Sequence, residues 1–198
     1  MYTGLMIGLL VLGAMASATA VYRLAVRPWH LGWGATDEEV ARSMPSDDLL
    51  PGSGSATRAI TIEAPPEDIW PWLVQLGYGR AGWYSYDWID NDFKPSADRV
   101  LMMPGMGFEA QAVDEPHSIV SLLEDGSTFW CLALYPADDG STRLVSRWRP
   151  RFERSVATFF MVLVVEPGTF VMEQKLLRTI RDRVESSSTR STVRERAR

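Results

Sequence analysis

The chain has 198 residues, 46% of them hydrophobic, and a formal net charge of -5; this leaves room for one ordinary domain with appendages and excludes a disordered chain. The acidic balance argues against nucleic acid as a partner, because phosphate recognition needs a clustered positive field. The single cysteine, Cys131, rules out an intrachain disulfide and lies in an apolar run that makes it a buried, inert thiol.

The first element is apolar. No charged side chain occurs from Met1 to Tyr22, and Leu5, Ile7, Leu9, Leu10, Val11 and Leu12 form its centre. About 20 such residues, rising ~1.5 Å each, cross a hydrocarbon core of ~30 Å. These side chains favour insertion by roughly 2 to 4 kcal/mol, and Gly4, Gly8, Gly13, Ser17 and Thr19 erode that gain. Three readings are open: a membrane anchor over residues 1–26, a signal peptide cleaved at Ala18-Thr19-Ala20, or a buried helix of a soluble protein. Arg23 and Arg27 follow the run and no Lys or Arg precedes it. That favours a single-pass anchor in the cell membrane, with the C-terminal part in the cytoplasm.

Residues 27–56 read as a juxtamembrane segment and linker. Trp29 and Trp33 suit the headgroup region. Thr36-Asp37-Glu38-Glu39 is an N-cap with an acidic first turn, opening a short helix through Arg42. Pro45 to Ser55 is rich in Pro, Gly, Ser and Asp, the composition of a linker.

A domain over residues 57–185 follows. Arg58-Ala59-Ile60-Thr61-Ile62-Glu63 alternates and carries β-branched residues, the mark of a strand. Ala64-Pro65-Pro66-Glu67-Asp68 stops it and starts a helix in which Ile69, Trp72, Leu73 and Leu76 share a face. Pro71 deletes one hydrogen bond of that helix. Beyond Gly107, Phe108–Val113, Ile119–Leu123, Phe129–Tyr135 and Thr142–Trp148 are strands joined by turn signals, which makes an antiparallel meander. Val156 to Val165 is almost wholly apolar, and Glu166-Pro167-Gly168 interrupts it. From Phe170, a closing helix is expected with Val171, Met172, Leu176, Leu177, Ile180 and Val184 as its apolar stripe and Glu173, Lys175, Arg178, Arg181 and Asp182 opposite. Residues 186–198 read as a disordered basic tail.

Motifs for chemistry are few. Gly77-Tyr78-Gly79-Arg80-Ala81-Gly82 matches G-x-G-x-x-G, but it follows a helix rather than a strand, so helix termination at Gly77 explains it. His30 and His117 are the only histidines, and neither belongs to a metal-ligand cluster or a Ser/His/Asp set. No catalytic residue, metal or cofactor is therefore assigned. Aromatic residues are abundant instead. Trp83, Tyr84, Tyr86 and Trp88 lie close together, and Phe108, Trp130 and Trp148 fall on strands; as a group they exceed what packing needs, and Tyr and Trp suit cavity walls. Asp87, Asp98 and Arg99 are the polar candidates at a pocket mouth, with ordinary solvated loop charge as the alternative.

Several stretches look familiar. Ile60-Thr61-Ile62-Glu63-Ala64-Pro65-Pro66-Glu67-Asp68-Ile69-Trp70 resembles the opening of the SRPBCC, or START-like, superfamily. Pro71 to Gly77, Gly82-Trp83-Tyr84-Ser85-Tyr86-Asp87-Trp88, Ser96-Ala97-Asp98-Arg99, Arg27 to Leu31 and Glu166 to Glu173 are similar to an uncharacterised, polyketide cyclase/dehydrase-like branch of it. The resemblance implies an α+β helix-grip fold: a curved antiparallel sheet wrapped around a long C-terminal helix, here preceded by a transmembrane helix. It also implies a cavity for lipids, sterols, polyketides or other apolar molecules, and it carries no universal catalytic residue. Residues 100–105 are shorter than the matching stretch of relatives, so a strand is expected to be missing there.

These observations point to a membrane-tethered protein that binds a hydrophobic small molecule or lipid and is not obviously an enzyme. Its expected wall is Val171, Met172 and Leu176 with the aromatic group Trp83, Tyr84, Tyr86, Trp88, Phe108, Trp130 and Trp148. The alternatives are a cyclase or aromatase using Tyr86, Asp87, Asp98 or Arg99, and an assembly module with a vestigial pocket.

Overall fold

The computed structural model describes residues 2–49, 54–76, 100–103, 106–151 and 161–196. Tyr2–Val21 (α1) is helical. Two of its hydroxyls are satisfied locally: Ser17 Oγ donates to Gly13 O and Thr19 Oγ1 to Met15 O, each at 2.8 Å, which removes their need for water. Pro28 has no N–H to continue the ladder. A π-helical turn, Tyr22–Val26, in which the Arg27 N–H reaches back to Tyr22 O, carries the helix past it into Arg27–Leu31 (α2). The span Met6–Leu31, 26 residues, is long and apolar enough to cross a membrane, and none of its most apolar window is buried against the rest of the protein.

The body is one six-stranded antiparallel sheet. Its strands are Ala56–Ile62 (β1), Val100–Met103 (β2), Met106–Asp114 (β3), Ser118–Leu123 (β4), Thr128–Pro136 (β5) and Thr142–Pro150 (β6), in the order β1-β6-β5-β4-β3-β2. Short turns join β3 through β6, two of them with glycine at positive φ, Gly126 and Gly140. β2 corrects one expectation: residues 100–103 do form a strand, paired to β3 as the sheet edge. The segment is short, yet antiparallel pairing needs only a few residues to satisfy its backbone.

One face of the sheet, the inner one, packs on Pro66–Val74 (α4) and on Glu166–Arg196 (α5). The shared core joins Ile60, Ile62, Leu73, Phe108, Trp130, Leu144, Leu177 and Ile180. α4 begins with Pro66 in its first turn, tolerates Pro71 inside, and is capped at Gln75, two residues before the expected stop at Gly77. α5 buries Phe170, Glu173, Leu176, Leu177, Ile180 and Val184. This shifts the expected stripe, because Glu173 is buried and Val171 is 48% exposed. The helix runs on to Arg196, through residues whose composition suggests a solvated tail.

The outer face is covered by residues 30–49. Asp37–Ala41 (α3) is closed by a capping box: the Glu39 N–H donates to Thr36 Oγ1 at 3.1 Å, and the Thr36 N–H donates to Glu39 Oε2 at 2.8 Å. The Glu39 carboxylate also takes two bonds from Arg143, at 2.7 and 2.8 Å. Buried Arg147 donates to the carbonyls of Glu39, Val40 and Arg42 and to Asp47 Oδ2, so it caps the end of α3 and anchors the next turn. The stretch with linker composition is thus fastened to β6 through Asp47, which Arg149 also contacts at 3.0 Å. Gly34, at φ +71°, lies against β1; a Cβ there would sit 2.2 Å from Ala59 O. Next to it, the Ala59 N–H donates to Trp33 O at 3.1 Å, which closes part of the β1 edge.

Candidate functional site

Strand alternation puts Phe108, Trp130 and Trp148 on the inner face, one on each of β3, β5 and β6. Trp130 and Trp148 stack with centroids 5.3 Å apart, and the Phe108 ring meets Trp148 edge-on at 5.4 Å. Trp130 Nε1 donates to Ser146 Oγ at 2.8 Å, which fixes the orientation of its indole. Trp148 Nε1 is buried and finds no partner among the described residues.

Beside this cluster an apolar cleft of about 130 Å³ lies between α4 and the sheet. Leu73 and Val74 of α4, with Leu76 just past its cap, form one wall, and Ile119, Ser121, Trp130 and Leu132 its floor. Its rim needs a bulge. Ala110 pairs with Ser121 and Ala112 with Val120, which leaves Gln111 as an extra residue on β3. Residues 110 and 113, three apart, would face opposite sides of a regular strand; the bulge turns both toward the cleft, which they line. Val74 and Val113 are 37% and 58% exposed, so the cleft opens to solvent at that edge. Apolar walls, one hydroxyl and a fixed indole make a site for an apolar group rather than for proton transfer.

A second cluster joins the body to the N-terminal helix. Arg58, on β1, and Glu173, on α5, form an ion pair with both side chains only 2% exposed. Arg58 Nε also donates to His30 O at 2.8 Å, and its guanidinium lies 5.4 Å from the Phe170 ring centroid. Arg27 grips Glu166 through two bonds of 2.8 and 2.9 Å. Tyr22 Oη donates to Val162 O at 2.6 Å, and Trp29 meets Phe170 edge-on at 5.3 Å. His30 Nδ1 and Glu173 Oε1 are buried with no partner among the described residues. The carboxylate and guanidinium compensate each other there, where neither alone would tolerate loss of water.

Of the residues singled out from sequence, Phe108, Trp130 and Trp148 meet as described, and Leu176 lies in the same core. Met172 is half-buried and Val171 turns outward. Trp83, Tyr84, Tyr86, Trp88, Asp87, Asp98 and Arg99 lie outside the described residues. Sequence reasoning missed the α4 side of the cleft and the Arg58–Glu173 pair. A signal existed for each. Leu73 and Leu76 were on the buried face, and Arg58 shares the period-2 face of Ile60 and Ile62. Among the described residues no group of three His, Cys, Asp or Glu side chains is placed to hold a metal. Cys131 is buried on the outer face, and burial pushes its thiol up to about 12.

A single antiparallel sheet gripping a long C-terminal helix, with an apolar helix ahead of it, is the helix-grip α+β architecture. No protein-family model and no curated protein matches the chain. Among solved structures it is similar to the self-sacrificing resistance protein CalC from Micromonospora echinospora, at 11% identity and TM-score 0.46, over 68% of this chain and 96% of that one. A polyketide-cyclase-like protein from Corynebacterium glutamicum is 18% identical with TM-score 0.39, over 70% and 95% of the two chains. The XoxI protein from Bacillus cereus is 7% identical with TM-score 0.47, over 68% and 98%.

Proposed function

We propose that this protein is a membrane-tethered binding protein whose helix-grip domain holds a hydrophobic small molecule or lipid by an apolar group. The observation that supports this reading is the cleft between α4 and the sheet, about 130 Å³ and apolar apart from Ser121. An apolar cavity of about 150 Å³ takes up a benzene ring, so the cleft suits one ring or a short branched chain end of a larger ligand. Whole-ligand pockets run to roughly 300–1,000 Å³, and the rest of the ligand lies beyond the Val74–Val113 opening. The tether is the Met6–Leu31 helix, and Arg23 and Arg27, which follow its uncharged stretch, keep the domain on the cytoplasmic side.

The test uses the full chain in lipid nanodiscs, labelled with 5-fluorotryptophan and titrated with toluene. A saturable shift of the resonance assigned to Trp130 by its loss in Trp130→Phe is expected. Ala110→Phe, a change at an exposed rim position, should abolish the shift by filling the cleft. If toluene moves no resonance saturably, or moves it equally in Ala110→Phe, the cleft is not a binding site.

A further inference from the structure

The N-terminal helix and the start of α5 run side by side in one direction and in constant register. Tyr22 meets Val162, Arg27 meets Glu166, and His30 meets Phe170, with ring centroids 5.6 Å apart in the last pair. The partners are separated by 140, 139 and 140 residues, as in two parallel helices of matching rise. Heights above the bilayer can therefore be read across from one to the other. Tyr22 ends the uncharged segment, and Arg23 is the first charge, so the hydrocarbon edge falls near Tyr22. Leu163 and Val164 lie between the Tyr22–Val162 and Arg27–Glu166 contacts. At ~1.5 Å per residue they stand within roughly 2–3 Å of that edge. The headgroup zone is about 5–8 Å deep on each side.

Leu163 is 39% exposed and Val164 53% exposed, and neighbouring Leu24 is 80% exposed. Apolar side chains left bare at that depth have lipid as their natural cover. We propose that the π-helical turn Met161–Val165, which leads into α5, is a second membrane-contacting element, seated in the bilayer interface beside the tether, with Leu163 and Val164 as the lipid-facing side chains. The partner is the lipid surface itself. This rests on the reading of Met6–Leu31 as a membrane span, and it adds that the gripped helix is held to the membrane at its own N-terminal end. Val171, equally apolar and 48% exposed, stands about two turns higher and is excluded from the contact.

The test places a nitrobenzoxadiazole label on the full chain through Leu163→Cys, Val164→Cys, Val171→Cys or Leu10→Cys, singly, in phosphatidylcholine vesicles. All four positions are exposed, and native Cys131 is buried, so the unsubstituted chain serves as the unlabelled control. Phospholipids carrying a nitroxide near the headgroup should remove most of the emission at 163 and 164 and leave that at 171 intact. A nitroxide deep in the acyl chain should quench the label at Leu10. Water-like, unquenched emission at 163 and 164 with Leu10 still quenched overturns the second contact and leaves the tether standing. An unquenched Leu10 overturns both.

Discussion

Replacing Arg58 with methionine and Glu173 with leucine, singly and together, tests how the body is locked to its closing helix. Each single change strands the opposite charge among side chains that are 2% exposed. Breaking a buried ion pair from one side costs roughly 3–5 kcal/mol. Arg58 also loses its bond to His30 O, worth another ~1 kcal/mol. We therefore expect about 4–6 kcal/mol for Arg58→Met and about 3–5 kcal/mol for Glu173→Leu. In the double variant no charge remains to be stranded, and two apolar side chains of similar volume face each other. Its cost should fall to roughly 1–2 kcal/mol, so the two changes are non-additive by several kcal/mol. Urea unfolding of the full chain in mild detergent, followed by tryptophan emission, reads this directly. With a slope of about 2 kcal/mol per molar, each single variant shifts the midpoint down by ~2 M and the double by under ~1 M. A double variant that loses the sum of the two singles would refute the pairing.

Three further outcomes follow from the outer face. Gly34→Ala should cost roughly 2–3 kcal/mol through left-handed strain and the lost Trp33–Ala59 bond; an unchanged thermal melt would mean this segment does not dock on β1. Burial acts to raise the Glu39 carboxyl, but its bonds from Arg143 and Thr36 win, and it titrates below its ordinary 4.5. A depressed folded value means its stabilisation is complete above about 4.5 and is lost as pH falls through that lowered value. Glu39→Gln should accordingly flatten the acid limb of the stability curve, and an unaltered limb would count against the pairing. Cys131, held up to about 12 by burial, should ignore a thiol reagent at pH 8 until the chain is unfolded; brisk labelling of the native protein would place it elsewhere.

The strands of the meander and the closing helix were legible because period-2 and period-3.6 patterns survive where one face is buried and the other is not. Charges inside the core broke that legibility. Glu173 sits three residues before Leu176 and four before Leu177, so spacing alone puts it on the buried stripe; its charge assigned it to the solvent side. The linker composition of Pro45 to Ser55 concealed a docked segment for a similar reason. Asp47 is held by Arg147 and Arg149, and those arginines share the outward face of β6 with Val145, a pattern that signals a covered face only once a partner is known. The cleft was half visible. Trp130 was named and the buried face of α4 was read, but nothing in the residues around Gln111 announces an extra position in the pairing, since glutamine carries no turn chemistry.

That extra position makes the width of the opening a matter of chain length. Deleting Gln111 would let β3 zip regularly onto β4 with Ala110 and Val113 two apart and still on the cleft side, but without the bend and added twist that a bulge gives its strand. The mouth would be remodelled although every wall residue kept its identity. The shape of the rim therefore depends on a residue that contributes no side chain to the wall.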